Sequence, residues 1–375
     1  MNIKMVDLQG QYQKIKSEID QAIQHVIDKA NFINGEDVQL FAKNLAAYCG
    51  VKHVITCANG TDALQIALMA LNLQKGDEII IPAFTYVATA EVIALLGYTP
   101  VMVDVDEKYF NITAELIEKA ISPKTKAVVP VHLFGQSCDM EPILSLAQKH
   151  NLYVVEDNAQ AIGAIYTFSD GKKKQTGAMG HIGCTSFFPS KNLGCYGDGG
   201  ALFTNDDAIA EKLRMIANHG QEKKYYHKVI GCNSRLDTLQ AAILNVKLKY
   251  LDHYSQARYN AASYYTEHLK NMDNLITPAE MPRTTHVYHQ YTLQIKNGKR
   301  DQLKQHLENS GIPAMIYYPL PLQQQEAFKN TAKAGGNLHV AQQLSDTVLS
   351  LPMHTELTKE EQDLIINIIK NFYVS

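Results

Sequence analysis

The residues best placed to do chemistry are gathered in Ser186-Phe187-Phe188-Pro189-Ser190-Lys191-Asn192-Leu193-Gly194, followed by Gly197-Asp198-Gly199-Gly200. One lysine stands in a serine-flanked turn between the apolar runs Cys184–Phe188 and Ala201–Thr204, which read as short buried strands. At a strand end its amine is expected to be partly desolvated, and desolvation lowers an amine pKa. Such a lysine keeps a neutral fraction able to attack an aldehyde at pH 7, whereas a surface lysine stays protonated. A lone lysine more often binds phosphate or meets solvent, so this reading needs partners elsewhere in the chain.

Two partners lie upstream. The run Leu152-Tyr153-Val154-Val155-Glu156-Asp157-Asn158-Ala159-Gln160 has a buried-strand pattern ending in a carboxylate pair and a glutamine. Ligands bind at the carboxyl edge of open α/β sheets, so Asp157 and Lys191 can meet in one crevice. An aspartate facing a pyridine nitrogen keeps it protonated and makes the ring an electron sink. By itself Asp157 would more simply cap a helix or pair with an arginine. The third element is Cys57-Ala58-Asn59-Gly60-Thr61-Asp62-Ala63-Leu64, after Val54-Ile55-Thr56 and before a helical pattern of Leu64, Leu68 and Leu71. Strand, tight turn and helix start leave backbone N–H groups and the Thr61 hydroxyl free to bind phosphate. The turn is neither a Walker loop nor Gly-x-Gly-x-x-Gly, and a plain N-cap would need no ligand. A phosphate turn, a strand-end aspartate and a later lysine together form a pyridoxal phosphate constellation.

With these motifs the chain resembles the sugar aminotransferases of the DegT/DnrJ/EryC1/StrS family, within the fold-type I pyridoxal enzymes. The resemblance runs from Val6-Asp7-Leu8 to Leu351-Pro352-Met353-His354 and includes Pro82-Ala83-Phe84-Thr85-Tyr86 and Gly231-Cys232-Asn233-Ser234-Arg235-Leu236-Asp237. It implies that Lys191 holds pyridoxal 5'-phosphate, is displaced by the amino-acid donor, and then moves the proton between donor and cofactor carbons, with pyridoxamine 5'-phosphate as the intermediate form. Gly60, Thr61 and Ser186 match phosphate ligands, Gln160 a neighbour of the phenolic oxygen, and Phe84 or Tyr86 a residue at the ring face. Asn233 matches a residue that reaches the cofactor phosphate of the other subunit, which implies an obligate homodimer with shared active sites. Arg235 is a candidate for a sugar or donor carboxylate, since guanidinium grips carboxylates bidentately; a surface ion pair is the competing reading. Tyr86, Tyr317 and Tyr318 complete the implied substrate site.

The resemblance is nearest to enzymes that aminate carbon 3 of UDP-2-acetamido-2-deoxy-3-oxo-glucuronate with L-glutamate, releasing 2-oxoglutarate, in bacterial surface-polysaccharide (O-antigen) pathways. Where relatives often have His-Tyr-Pro this chain has Tyr317-Tyr318-Pro319, which keeps neutral UDP-3-oxo-N-acetylglucosamine as an alternative. A dTDP-linked keto-6-deoxy sugar is less favoured. A pyridoxamine-dependent dehydratase of this fold lacks the lysine, so Lys191 argues against that activity. A non-catalytic cofactor-binding regulator would tolerate loss of the base, yet Asp157, Gln160 and Lys191 are all present.

Composition narrows the alternatives. The 375 residues suit a large α/β domain with a smaller companion, and the formal charge of −3 with no basic stripe speaks against nucleic acid. Lys172-Lys173-Lys174 and Lys223-Lys224 read as solvated loop positions. Six cysteines form no Cys-x-x-Cys pair and no ligand spacing with histidine, so no metal site or disulfide framework is expected. Of fourteen scattered histidines, His132 and His219, beside glycine-bearing segments, stand out. No stretch approaches the roughly 18 apolar residues of a membrane span, and Met1-Asn2-Ile3-Lys4 opens no apolar signal region. A cytoplasmic protein is the expectation.

The elements that must position these residues are legible as strands at Val51–Cys57, Glu78–Ile81, Val101–Val105, Ala127–Leu133, Tyr153–Glu156, Cys184–Phe188 and Ala201–Thr204, alternating with helical patterns. They predict a mostly parallel seven-stranded sheet with helices on both faces. Leu236, Leu239, Ile243, Val246 and Tyr250 mark one helix face, expected to join a large domain, residues 1–255, to a small α+β domain, residues 256–375. Strands are expected there at His289–Ile295 and Ala314–Tyr318, and Ser169–Gly177 as a surface excursion.

Overall fold

The computed structural model describes residues 3–374. Two helices, α1 (Leu8–Lys29) and α2 (Glu36–Cys49), precede an alternation of β1 (His53–Cys57), α3 (Gly60–Ala70), β2 (Glu78–Pro82), α4 (Ala88–Leu95), β3 (Thr99–Val103), α5 (Ala114–Ala120), β4 (Thr125–Val128), α6 (Met140–Lys149) and β5 (Tyr153–Asp157). A hairpin, β6 (Ile165–Thr167) and β7 (Lys173–Gln175), is followed by β8 (Ile182–Ser186), β9 (Gly200–Thr204) and α7 (Asp207–Ala217). A second hairpin, β10 (Gln221–Lys223) and β11 (Tyr226–His227), leads to α8 (Thr238–Leu248) and α9 (Leu251–Leu269). The chain ends with β12 (Leu275–Ile276), β13 (Tyr291–Ile295), α10 (Arg300–Asn309), β14 (Lys333–Ala334), α11 (His339–Thr347), β15 (Val348–Leu351) and α12 (Lys359–Val374).

The main sheet has the order β1-β9-β8-β5-β4-β2-β3-β14, with β9 alone running against its neighbours. It therefore has eight strands where the sequence predicts seven. The eighth is two residues delivered late in the chain to the outer edge of β3, Lys333 opposite Val101. Both residues of β14 are exposed; backbone pairing alone recruits them, so no apolar run announces them. Strand β4 stops at Val128, and Pro130, which has no N–H to donate, starts an irregular path to a short 3-10 turn at Leu133–Gly135. Ala314–Tyr318 is not a strand: flanked by Pro313 and Pro319, it keeps one bridge, Met315 to Ser350. The excursion at Ser169–Gly177 contains β7, paired with β6.

Of the apolar stripe after Arg235, Leu239, Ile243 and Val246 lie on α8, Leu236 precedes that helix and Tyr250 caps α9. Ala241 and Leu244 of α8 pack with Phe41 and Leu45 of α2, and Ile243 and Val246 with Ile15 and Ile19 of α1. The expected seam between two domains is thus a seam between α8 and the N-terminal helices. Beyond α9, the antiparallel sheet β12-β13-β15 packs with α9, α10 and α12, while Leu322, Phe328, Ala341 and Leu344 join the core of the main sheet. Among the described residues no helix is long and apolar enough to cross a membrane.

Strand alternation in β5 sends Glu156 and Asp157 to opposite faces. Glu156 is fully buried and accepts hydrogen bonds from His132 Nε2 (2.8 Å) and from the backbone N–H groups of Gly177 (2.8 Å), Met179 (2.7 Å) and Gly180 (2.5 Å). His132 Nδ1 accepts the Cys138 N–H at 3.1 Å, which leaves the ring proton on Nε2. Burial raises the Glu156 pKa, but the His132 bond and the backbone donors outweigh it and hold the carboxyl below its usual value. Glu156→Gln would turn an amide NH2 toward these donors and is expected to cost about 3 kcal/mol in urea unfolding at pH 7. Because the folded pKa is depressed, the wild-type advantage is complete above the normal glutamate pKa and disappears as pH falls through the lower folded value. An equal difference at pH 7 and at acid pH would contradict this account.

Candidate active site

The carboxyl ends of β1, β2, β5 and β8 lie on one edge of the main sheet, and the candidate residues follow them. After β1, Asn59 caps α3 by accepting the Asp62 N–H at 2.8 Å. This fixes the first turn and leaves the Gly60 and Thr61 N–H groups outside the helical ladder. A Cβ on Gly60 would lie 2.6 Å from Ser186 Cβ, so glycine is what lets the turn lie against the end of β8. Gly60, Thr61 and Ser186 thus form one small, donor-rich corner, and α3's dipole favours an anion there.

Asp157, 6% exposed, ends β5. Its Oδ2 accepts the Thr89 hydroxyl from α4 at 2.8 Å, and its Oδ1 the Ala159 N–H at 3.1 Å. Desolvation nevertheless leaves its pKa raised, against the lowering effects of Thr89, Ala159 and the Lys191 charge. It is a buried carboxylate with no cation bonded to it among the described residues.

Lys191 sits in a loop closed by bonds from its own N–H to Phe188 O and from Cys195 N–H to Phe187 O, both 2.8 Å. Its side chain is partly buried, and among the described residues its amine has no hydrogen-bond or ion-pair partner. Desolvation lowers its pKa to about 8, with the Asp157 charge acting in the opposite direction. The sequence reading of a partly desolvated lysine and an aspartate within electrostatic reach of each other is what the fold produces.

Gln160 connects the other wall. Its Oε1 accepts the Phe134 N–H at 2.7 Å and its Nε2 donates to Tyr318 Oη at 3.1 Å. Phe84 is fully buried, edge-on to Tyr318 (5.9 Å between centroids) and Phe134 (6.4 Å). Tyr86, 56% exposed, lies 6.2 Å from Tyr318, and Tyr317 adjoins it on the chain. Asn233 and Arg235 follow the β10–β11 hairpin. Among the described residues no side-chain bond joins either to this cluster: Asn233 is exposed, and the partly exposed Arg235 guanidinium has no ion-pair partner. Between them, Ser234 Oγ donates to Asp62 Oδ2 (2.6 Å) and accepts the Ala58 N–H (3.0 Å), tying this segment to the phosphate turn.

Thr89 and the His132–Glu156 pair carry weight that the sequence reading did not assign. The adjacent carboxylates Glu156-Asp157 held a usable signal, since a period of two puts them on opposite faces; nothing local marks Thr89. His219 accepts His227 Nδ1 through its carbonyl and belongs to the hairpin. Among the described residues no group of His, Cys, Asp and Glu could hold a metal. A partnerless desolvated amine, a buried carboxylate lacking a cation, a helix start opened by glycine and a glutamine amide suit an anionic, aldehyde-bearing pyridine, so these residues fit pyridoxal phosphate.

The DegT/DnrJ/EryC1/StrS aminotransferase family model matches residues 13–370. A "pleiotropic regulatory protein" of Geobacillus stearothermophilus is 46% identical over 100% of this chain and 99% of its own. The UDP-N-acetyl-3-dehydro-alpha-D-glucosamine 3-aminotransferase of Acidithiobacillus ferrooxidans is 45% identical, covering 98% and 97%. The UDP-2-acetamido-2-deoxy-3-oxo-D-glucuronate aminotransferase of Pseudomonas aeruginosa is 44% identical, covering 98% and 100%. A crystal structure of a DegT DnrJ EryC1 StrS aminotransferase from Brucella abortus, 42% identical, matches with a TM-score of 0.94 over 100% of both chains.

Thr89→Val removes one of the two hydrogen bonds that stabilise the Asp157 carboxylate. The Asp157 titration, followed by the carboxyl 13C shift in cofactor-free protein, is expected to move upward; an unchanged midpoint would show that Thr89 does not tune it.

Proposed function

Since this chain belongs to the DegT/DnrJ/EryC1/StrS aminotransferase family and is therefore a pyridoxal phosphate-dependent enzyme, we propose that it transfers an amino group from L-glutamate to carbon 3 of a UDP-linked 3-keto sugar, with UDP-2-acetamido-2-deoxy-3-oxo-glucuronate the leading substrate and surface polysaccharide the destination. The observation that carries this reading is the partnerless Lys191 amine with its pKa near 8, in electrostatic reach of buried Asp157. At pH 7 about a tenth of such an amine is neutral, against well under one in a thousand for an ordinary lysine.

When bound, the cofactor supplies an aldehyde for covalent capture and a ring that accepts electrons as a C–H bond breaks. Lys191 would supply the neutral amine for that capture and, when its amine is free, a base that takes a proton from the donor carbon and returns it elsewhere. Asp157 would hold a proton at the ring nitrogen, and the resulting positive charge would relieve the cost of its own buried charge. Gly60, Thr61 and Ser186 would hold the phosphate, Gln160 would orient the phenolic oxygen, and Phe84 and Tyr86 would confine the ring and the sugar.

The two aminotransferase relatives act, by their names, on an acidic and a neutral sugar, and identities of 44% and 45% do not choose between them. The unpaired Arg235 guanidinium supports the uronate. Tyr317 and Tyr318, which carry no charge, support the neutral alternative as the second reading. A homodimer with shared sites is part of the proposal: the hairpin and the segment that follows it to Asn233 expose Tyr225 (79%) and Ile230 (86%), apolar surface that a second copy would cover. The regulatory name of the Geobacillus relative suggests a cofactor-binding regulator, but a regulator has no need of the Lys191 and Asp157 pairing.

L-Glutamate is expected to convert the visible spectrum of the loaded protein to that of the pyridoxamine form and to yield 2-oxoglutarate, and Lys191→Ala to lose multiple turnover. Normal turnover by that variant would overturn the proposal. Arg235→Met should lower kcat/KM for the uronate about 10- to 100-fold while leaving the neutral sugar within about twofold. Equal losses on both sugars would remove Arg235 as the carboxylate contact.

A further inference from the structure

The loop bearing Lys191 is gripped by one face of α8, and we propose that Lys247, with Gln240, is a positioning residue that fixes this loop and through it the Lys191 amine. This rests on the reading of Lys191 as the cofactor lysine. Lys247 is 1% exposed, yet among the described residues it forms no ion pair. Its Nζ donates to Gly194 O at 2.5 Å and lies 5.3 Å from the centroid of the Tyr196 ring. Two turns earlier, Gln240 accepts the Tyr196 N–H at 2.8 Å and donates to Tyr196 O at 3.3 Å. Residues seven apart share a helix face, so α8 offers two polar side chains, with three hydrogen bonds, to the descending limb of the loop.

The loop transmits that hold. A Cβ on Gly194 would lie 2.3 Å from Pro189 O, so the descending limb is packed directly on the ascending one. Moving the Gly194 carbonyl therefore moves Pro189, two residues before Lys191. On the far side, Asn192 Nδ2 donates to Val287 O at 2.9 Å, and Asn192 Oδ1 is buried without a partner. The loop is thus tied at residues 192, 194 and 196, immediately after the reactive lysine.

An apolar side chain could hold α8 against the loop without the cost of burying an ammonium. What the amine adds is a directed bond to one carbonyl. Desolvation lowers the Lys247 pKa to about 8, with the Cys195 thiol opposing and Arg258 reinforcing.

The test uses the full chain with Lys247→Met and, separately, Gln240→Ala. In cofactor-free protein, amide exchange at Cys195 and Tyr196 should accelerate about tenfold or more, and competitive acetylation should show the Lys191 midpoint rising from about 8 toward 10.5 as the loop admits water. In the loaded enzyme, kcat of the glutamate half-reaction should fall about tenfold with KM little changed. An unchanged Lys191 midpoint with exchange accelerated equally across α8 and β8 would mean a general structural role and overturn the proposal. If Lys247→Met does not fold, Gln240→Ala decides by the same readouts. Borohydride reduction of the loaded wild type should mark Lys191. A mark elsewhere overturns the reading of the site, while exchange and acetylation still judge the clamp on cofactor-free protein.

Discussion

Desolvation of one amine and one carboxylate at the carboxyl edge of the main sheet is the constraint on which the rest of the structure depends. An amine with no hydrogen-bond partner and a buried carboxylate with no bonded cation are each unfavourable. They persist only if the scaffold forbids the simple escape, in which Lys191 turns to solvent or Asp157 recruits a nearby basic group. Local hydrogen bonds restrain both residues. Asp157 is held by Thr89 and by Ala159 N–H, and the Lys191 loop is closed by its own backbone bonds. A partnerless amine and a carboxylate without a bonded cation thus stand where a cofactor with a cationic ring and an electrophilic carbon would relieve both.

The energy that keeps Asp157 in place comes from the other face of the same strand. Glu156 collects four donors in a wholly buried setting and ties β5 to the Gly177–Gly180 turn and to His132. His132 in turn donates its backbone N–H to Asp157 O at 3.0 Å. One carboxylate is thus fully satisfied and the next is left wanting. The contrast in their pKa directions follows from that difference in donors, since both are deeply buried.

Much of this was legible in the sequence. Continuous apolar runs marked six of the main strands within a few residues, and Asn59-Gly60-Thr61 marked a cap that the structure forms. The lysine loop and the strand-end aspartate converge as the topology of an open sheet requires. What was not legible has a common physical cause. Strand β14 carries no burial signal because its pairing is purely backbone to backbone. Thr89 and Lys247 act through single bonds to residues 68 and 53 positions away, and no local period reports a contact of that kind. The stripe on α8 did report burial, but a stripe does not name its partner, and here the partner is the N-terminal helix pair.

The way buried cations are solvated near the site follows from the same constraint. Lys247 donates to a carbonyl, and Arg258, 3% exposed, donates through Nη1 to the carbonyls of Tyr288 (3.2 Å), His289 (3.4 Å) and Met353 (3.0 Å), while its Nε is buried without a partner. Neither has a carboxylate partner among the described residues. His289, also buried, has its pKa driven well down by desolvation and then by Lys191 and Arg258. A carboxylate placed here would have solvated the cations more strongly, but it would also have raised the Lys191 pKa and reduced its neutral fraction. Carbonyl dipoles hold the cations while adding no net charge. Among the described residues Asp157 is therefore left as the carboxylate acting on Lys191, and its opposing pull is outweighed by burial, which keeps the amine in the range where it can both attack and carry a proton.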